Sequence, residues 1–357
     1  MFLKNLYRLL AICSWIAIIY AFLMLPYLFK DLDSKEKSLR VYTWAHRIDE
    51  SILRDFEKKT GIKVYLNYYE SSEELLTKLE MMPTADCDIM LPSGNIIEPM
   101  IRAGLVKKID KSRCRFMKKI CPEFLSLYYD LENNYSLPLY WDVFGIGYNE
   151  NIVGDRTVSL DMIFDLKHVI GGEIAMTEDA REAIFLAASY LGFPLTHFSH
   201  DQLEQIYQLL HKQKSWVGSY TDSQQGYFLS SKTFAVVVSD RETICRKMLT
   251  NDFIKFSLLP AGSMLRMDSV VISAQTQKED LVYQFLEFLF SSQVLEYHCQ
   301  KYCILPTMRE VLKSLDQKYI GVENLYPGTD EFKKLIVFNH GLTQKEINDF
   351  WIRFKAS

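Results

Sequence analysis

The residues best placed for chemistry lie in TEDARE, residues 177–182, where an apolar strand pattern gives way to a helical one. Asp179 and Glu182 are i, i+3 neighbours, so both carboxylates project from the first helical turn. Acids in a first turn cap the helix and complement its dipole, and a carboxylate pair is also the machinery of glycoside hydrolysis. Nothing else in the chain supports hydrolysis. There is no G-x-S-x-G, no Walker A loop, no H-E-x-x-H and no dinucleotide fingerprint. The histidines at 46, 168, 197, 200, 211, 298 and 340 have no metal-ligand spacing, and His197 with His200 in LTHFSHD reads as a solvated helix start. No metal or cofactor is expected.

The elements that must position the acid pair come in two series. LRVYTW, IKVYLNYYE and CDIMLPS read as strands, and each is followed by a helical pattern: ESILRDFEKKTG, SSEELLTKLEMM with Ser71 and Glu74 at capping-box spacing, and IIEPMIRAGLV. Three strand-then-helix units argue for a parallel sheet, whose ligands bind at the carboxyl ends of the strands, here residues 44–47, 70–72 and 92–95. An apolar run at 135–149 suits a buried crossing strand. Beyond it GGEIAMT, TFAVVVSD and DSVVISAQ read as strands, and residues 278–302 as one long helical pattern. Two α/β lobes with a cleft between them follow, with residues 39–143 plus 266–312 as one lobe and 144–265 plus 313–357 as the other.

A chain of 357 residues with 24% charged residues, net charge −4, and only 15 Gly and 10 Pro excludes disorder and a collagen-like repeat. It also lacks the basic footprint of a nucleic-acid binder. Residues 9–29 carry no charge and follow Lys4 and Arg8, with Lys30, Asp31 and Asp33 beyond. Residues 1–30 are therefore expected to be a signal or membrane anchor. As an anchor they are expected to form one membrane helix with the N-terminus in the cytoplasm and the body outside, joined through a linker at 31–38. Of the seven cysteines, Cys114 and Cys121 form the most plausible bridge, while Cys299 and Cys303 read as buried thiols.

The order of segments is similar to that of the spermidine/putrescine-binding proteins of bacterial ABC importers. The resemblance runs from about residue 38 to the C-terminus and rests on YTW (42–44), KKTGIKV (58–64), YES (69–71), LPSG (91–94), KKIDKS (107–112), YSLPLYW (135–141), GYN (147–149), TEDARE, MDSVVI (267–272) and LPTM (305–308). It implies a periplasmic binding-protein fold with two lobes, crossing hinge strands and a ligand cleft, and no enzymatic activity. By the same resemblance Asp179 and Glu182 grip one amine of a polyamine, Asp268 grips another, Trp44 is an aromatic wall and Ser93 a polar contact. The implied partners are a small-molecule amine, an ABC permease of the inner membrane and the membrane itself through the N-terminal segment. The protein is expected to be a monomer in the periplasm, exported or tethered by that segment.

The chain departs from the family at the cleft. Ala45, His46 and Arg47 stand where Thr-Glu-Tyr is common, Asn95 and Leu305 where Tyr is usual, and Arg266 in place of a Trp; Val238 and Ser239 lie in a stretch that normally carries another Trp. Two arginines and one lost acid lower the negative charge of the implied lining. Three readings follow: the arginines turn away or pair with lobe residues and leave a polyamine site; one of them takes the carboxylate of a zwitterionic amine; or binding is lost and the protein has an envelope interaction role.

Overall fold

The computed structural model describes residues 14–15, 18–20, 24, 37–81, 87–165, 167–168, 174–339 and 341–357. Most of the expected membrane segment lies outside them, and among the described residues no helix is long and apolar enough to cross a membrane.

Among the described residues ten strands form one connected sheet: β1 Ser38–Thr43, β2 Lys63–Tyr68, β3 Ile89–Met90, β4 Ser136–Asn149, β5 Ile174–Met176, β6 Val217–Tyr220, β7 Val236–Asp240, β8 Ile254–Ser257, β9 Leu265–Ile272 and β10 Leu305–Pro306. Their order is β2-β1-β3-β9-β4-β7-β5-β6, with β8 and β10 also on β4. Parallel pairing of β1 with β2 and β3, and of β5 with β6 and β7, realises the expected strand-then-helix units. The apolar run at 135–149 becomes β4, which crosses between the two halves. Its first half pairs antiparallel with β9 (Asp142 opposite Arg266, Tyr140 opposite Asp268), and its second with β7 and β8 (Phe144 opposite Asp240). Gly145 makes the crossing possible, since a Cβ there would meet the Ser257 carbonyl at 2.5 Å.

Nine helices matter for the site and its support: α1 Glu50–Thr60, α2 Ser72–Met81, α3 Gly94–Arg102, α4 Ala180–Leu191, α5 His200–Gln213, α6 Arg241–Met248, α7 Glu279–Leu289, α8 Ser292–Tyr302 and α9 Gln344–Ala356. Their ends follow local chemistry. Asp49 caps α1, which stops at Gly61 in the left-handed region; Asp179 caps α4, which stops at Gly192 in the same way. Ser71 accepts from the Glu74 amide as expected, but the Glu74 carboxylate returns to the amide of Glu70, one residue earlier than in a capping box. The long helical pattern at 278–302 divides, because extended Ser291 is the N-cap of a fresh helix, α8.

Alternation along the strands sorts the core. The larger apolar cluster joins β1 to β3 and their helices to Leu229, Val237, Ile244 and Phe256 on one face of the far half-sheet. The smaller, with Phe144, Ile146, Val236, Val238, Leu186 and Phe354, covers the other face. The expected Cys114–Cys121 bridge is absent: both are buried free thiols. The Cys114 amide closes a turn onto Lys111 and the Cys121 amide pairs with Thr307, so the two sit on separately anchored turns.

Candidate functional site

The carboxyl ends of β5, β6 and β7, the loop after β1, and the middles of β4 and β9 converge where the two half-sheets meet. Antiparallel partners share a face, so the register of β4 against β9 and β7 puts Asp142, Arg266, Tyr140, Asp268 and Asp240 on one side. These residues line a cleft together with Arg47, Trp141, Glu242 and Ile304, and the cavity left among them is about 10 Å³, scarcely room for one water.

Two guanidiniums line the cleft, each held by two carboxylates, and a third, that of Arg241, is buried against Asp142. Arg47, from the loop after β1, donates from Nε to Asp268 at 2.5 Å and from Nη1 to Glu242 at 3.0–3.1 Å. Arg266 of β9 uses Nη1 for Asp240 at 2.6 Å and Glu182 at 3.1 Å. Arg241 is fully buried and donates from Nε to Asp142 at 2.7 Å, while its Nη atoms reach the carbonyls of Tyr319, Ile320 and Cys303.

Of the residues singled out in the sequence, Arg47, Ser93, Glu182, Arg266 and Asp268 come together: Ser93 Oγ donates to Asp268 at 3.1 Å. Asp179 is close by, but its Oδ1 is engaged in capping α4 through the amides of Arg181 and Glu182. Glu182 turns inward and accepts from Thr177 at 2.5 Å. Trp44 stands beside the cluster, its ring 4.5 Å from that of Tyr69, whose hydroxyl donates to Leu91. His46 stands outside the hydrogen-bonded cluster, exposed at φ 65° with its ring 5.2 Å from Tyr302, although within electrostatic reach of Glu242 and Arg47. Asn95, half-buried in the first turn of α3, has no hydrogen bond to the cluster.

Four acids of the site escaped the sequence reading: Asp142, Asp222, Asp240 and Glu242. Asp240 and Glu242 sit at a strand-to-helix junction, VVVSDRET, of the same kind as TEDARE. Asp222 follows β6 and accepts from Thr177 Oγ1 and the Glu178 amide. Asp142 is the one charge in the apolar run of β4, which is itself a signal. Seven carboxylates, those of Asp142, Asp179, Glu182, Asp222, Asp240, Glu242 and Asp268, thus gather around three guanidiniums, with Arg246 adding a positive charge within reach of Glu242.

That excess shows in the titration of the acids. Burial, only partly offset by Arg266, pushes Glu182 well above the ordinary carboxyl range and raises Asp240. Asp222 is raised by burial, and Asp142 reaches about 7 despite Arg241. Glu242 goes the other way: burial opposes its charge, but Arg47 and then Arg246 overcome that and hold it below its usual value. A raised carboxyl favours the fold on the acid side, and its contribution declines as pH rises from the unfolded value towards the folded one. An added cation favours the ionised forms and must expel protons. Cation affinity in this cleft is therefore expected to rise between about pH 5 and about pH 8, with proton release seen as a buffer-dependent heat in calorimetry. An affinity that is flat or falling with pH would contradict it.

Residues 51–320 match the model of the family described as bacterial extracellular solute-binding protein. The chain belongs to that family. Among its relatives it is similar to the spermidine/putrescine-binding periplasmic protein of Salmonella typhimurium, 25% identical over 304 residues that cover 84% of this chain and 86% of that protein. The putrescine-binding periplasmic protein PotF of Escherichia coli is 26% identical over 284 residues, 74% of this chain and 76% of its own. Among solved structures, a putative spermidine/putrescine ABC transporter protein from Listeria monocytogenes superposes with a TM-score of 0.80 at 25% identity, covering 89% of this chain and 99% of that one. The resemblance read from the sequence and the mixed α/β binding-protein fold both hold.

Proposed function

We propose that the protein is the extracytoplasmic solute-binding subunit of an ABC importer and that its cleft takes a linear polyamine of the putrescine or spermidine type. The observation that supports this reading is the surplus of carboxylates at the carboxyl ends of β5, β6 and β7, whose ionised forms a bound cation would compensate. The names of the relatives point the same way.

In this reading Glu182 and Asp179, with Asp240, hold one ammonium group, and Asp268 with Glu242 holds another. Trp44 flanks the methylene chain, Ser93 orients Asp268, and Arg47 and Arg266 move with their acids; His46 and Asn95 stand at the margin. The lobes, 39–143 with 266–312 and 144–265 with 313–357, close about β4 and β9, and the closed pair is what the permease engages. The protein performs no chemistry. It works as a monomer in the periplasm, exported or held at the inner membrane by residues 1–30.

The reading in which an arginine takes a ligand carboxylate is weakened, because Arg47 and Arg266 already hold two carboxylates each. Loss of binding is the second reading, favoured by the small cavity.

A thermal-shift panel of putrescine, spermidine, agmatine, basic amino acids and acidic zwitterions separates these. A ligand at 100 times its Kd adds about 2.7 kcal/mol. Stabilisation by the polyamines alone is the expected result; stabilisation by a carboxylate-bearing amine and no polyamine overturns the substrate class.

A further inference from the structure

We propose that Arg47 is a built-in ligand of this cleft, a tethered cation that occupies the site of a solute ammonium group and draws the two half-sheets together when no solute is bound. The proposal rests on the reading of the cleft as a cation site and says what already sits there.

Four observations carry it. Arg47 comes from the half of the sheet built on β1, β2 and β3, whereas Glu242 opens α6 at the end of β7 in the other half, and these halves connect through β4. The Arg47–Glu242 pair therefore spans the cleft. The guanidinium is shared between Glu242 and Asp268, with side-chain exposures of 14%, 11% and 12% for Arg47, Glu242 and Asp268, so it is buried between carboxylates as a bound cation would be. Asp268 is also fixed by Ser93, which orients it towards Arg47. Finally, the cavity that remains is about 10 Å³, so no amine fits until a guanidinium leaves.

The groups facing Arg47 are Asp268 on β9, Glu242 on α6 and the Tyr69 hydroxyl after β2, with Arg246 further along α6. Among the described residues Arg47 is the cation hydrogen-bonded to both acids, whereas Arg246 and Arg241 act on Glu242 and Arg266 on Asp268 through charge alone. Without it, closing the cleft would bring two buried carboxylates towards each other with no cation bridging them. An external amine must therefore compete with a cation of the same chain, and its apparent affinity is reduced by the fraction of molecules in which Arg47 has let go. Conversely, the vacated position is shaped for a guanidinium.

The test compares wild type with Arg47→Ala by small-angle X-ray scattering, with and without methylguanidine or putrescine. The expected result is a wild type equally compact with and without these probes, and a variant that is expanded alone and compacts again with methylguanidine. Calorimetry should show methylguanidine binding the variant about tenfold or more tightly than wild type. Glu242→Gln, which removes the opposite anchor and keeps its shape, should also be expanded when solute-free, and it serves if Arg47→Ala does not fold. If both variants superpose on wild type in scattering without solute, the proposal is overturned, and stabilisation of wild type by polyamine leaves the solute reading standing. If a variant opens but neither protein binds any amine or guanidine, the tethered cation is upheld and the polyamine reading falls.

Discussion

Replacing Arg241 by Met is expected to destabilise the protein by about 3–5 kcal/mol in urea unfolding, the usual result of removing one partner of a buried ion pair. Arg241 is fully buried and holds more than Asp142. Its guanidinium also satisfies the carbonyls of Tyr319, Ile320 and Cys303, which lie 62 to 79 positions further along the chain. Met fills the volume but leaves Asp142 as an uncompensated charge and three carbonyls short of a donor. The sign of the pH dependence follows. Asp142 is already raised to about 7 by burial, and without Arg241 it rises further, so the deficit of the variant is smallest and flat below about pH 7 and grows as pH rises above it, where wild type ionises Asp142 and the variant does not. Adding Asp142→Leu should restore much of the loss, because an apolar pair of similar volume often matches a buried ion pair. A single variant as stable as wild type would show that the guanidinium is not the keystone described here.

Asp268→Asn is expected to have the largest effect on binding. Asp268 is the carboxylate that both Ser93 and Arg47 address, on β9 beside the crossing strand β4, and the position proposed for one ligand ammonium group. Asn retains the shape and the bond from Ser93 but not the charge. Loss of one partner of a buried charge pair costs about 2 kcal/mol or more, so polyamine affinity should fall at least about 30-fold. Measured by calorimetric titration, an unchanged Kd would remove Asp268 from the site.

The fold was legible in the sequence because its signals are local. Strand and helix periods, the caps at Asp49 and Asp179, the glycines at 61 and 192 and the apolar run of β4 each speak for a few neighbouring residues. The site was legible only in part. TEDARE and Asp268 could be singled out, the latter through the family resemblance, whereas Asp240 and Glu242 went unread although their junction repeats the pattern at Asp179 and Glu182. What decides their role is pairing at a distance: Arg47 reaches Glu242 across 195 positions, and Arg266 reaches Glu182 across 84. No local pattern encodes such partners. The same long-range pairing turned the apparent loss of negative charge at Arg47 and Arg266 into its opposite, since each arginine sits against one further acid, Glu242 or Asp240, that the sequence had not brought forward. His46 and Asn95 show the converse: positions that match the family's pocket in sequence but stand outside the hydrogen-bonded cluster.

Calorimetric titration of spermidine into wild type and Arg47→Ala at about pH 7.5 tests the central claim, that this cleft is a site for a cationic amine. The account predicts saturable binding to a single site in both proteins, tighter in the variant and accompanied by proton release. No heat in either protein, with binding of a carboxylate-bearing ligand instead, would contradict it.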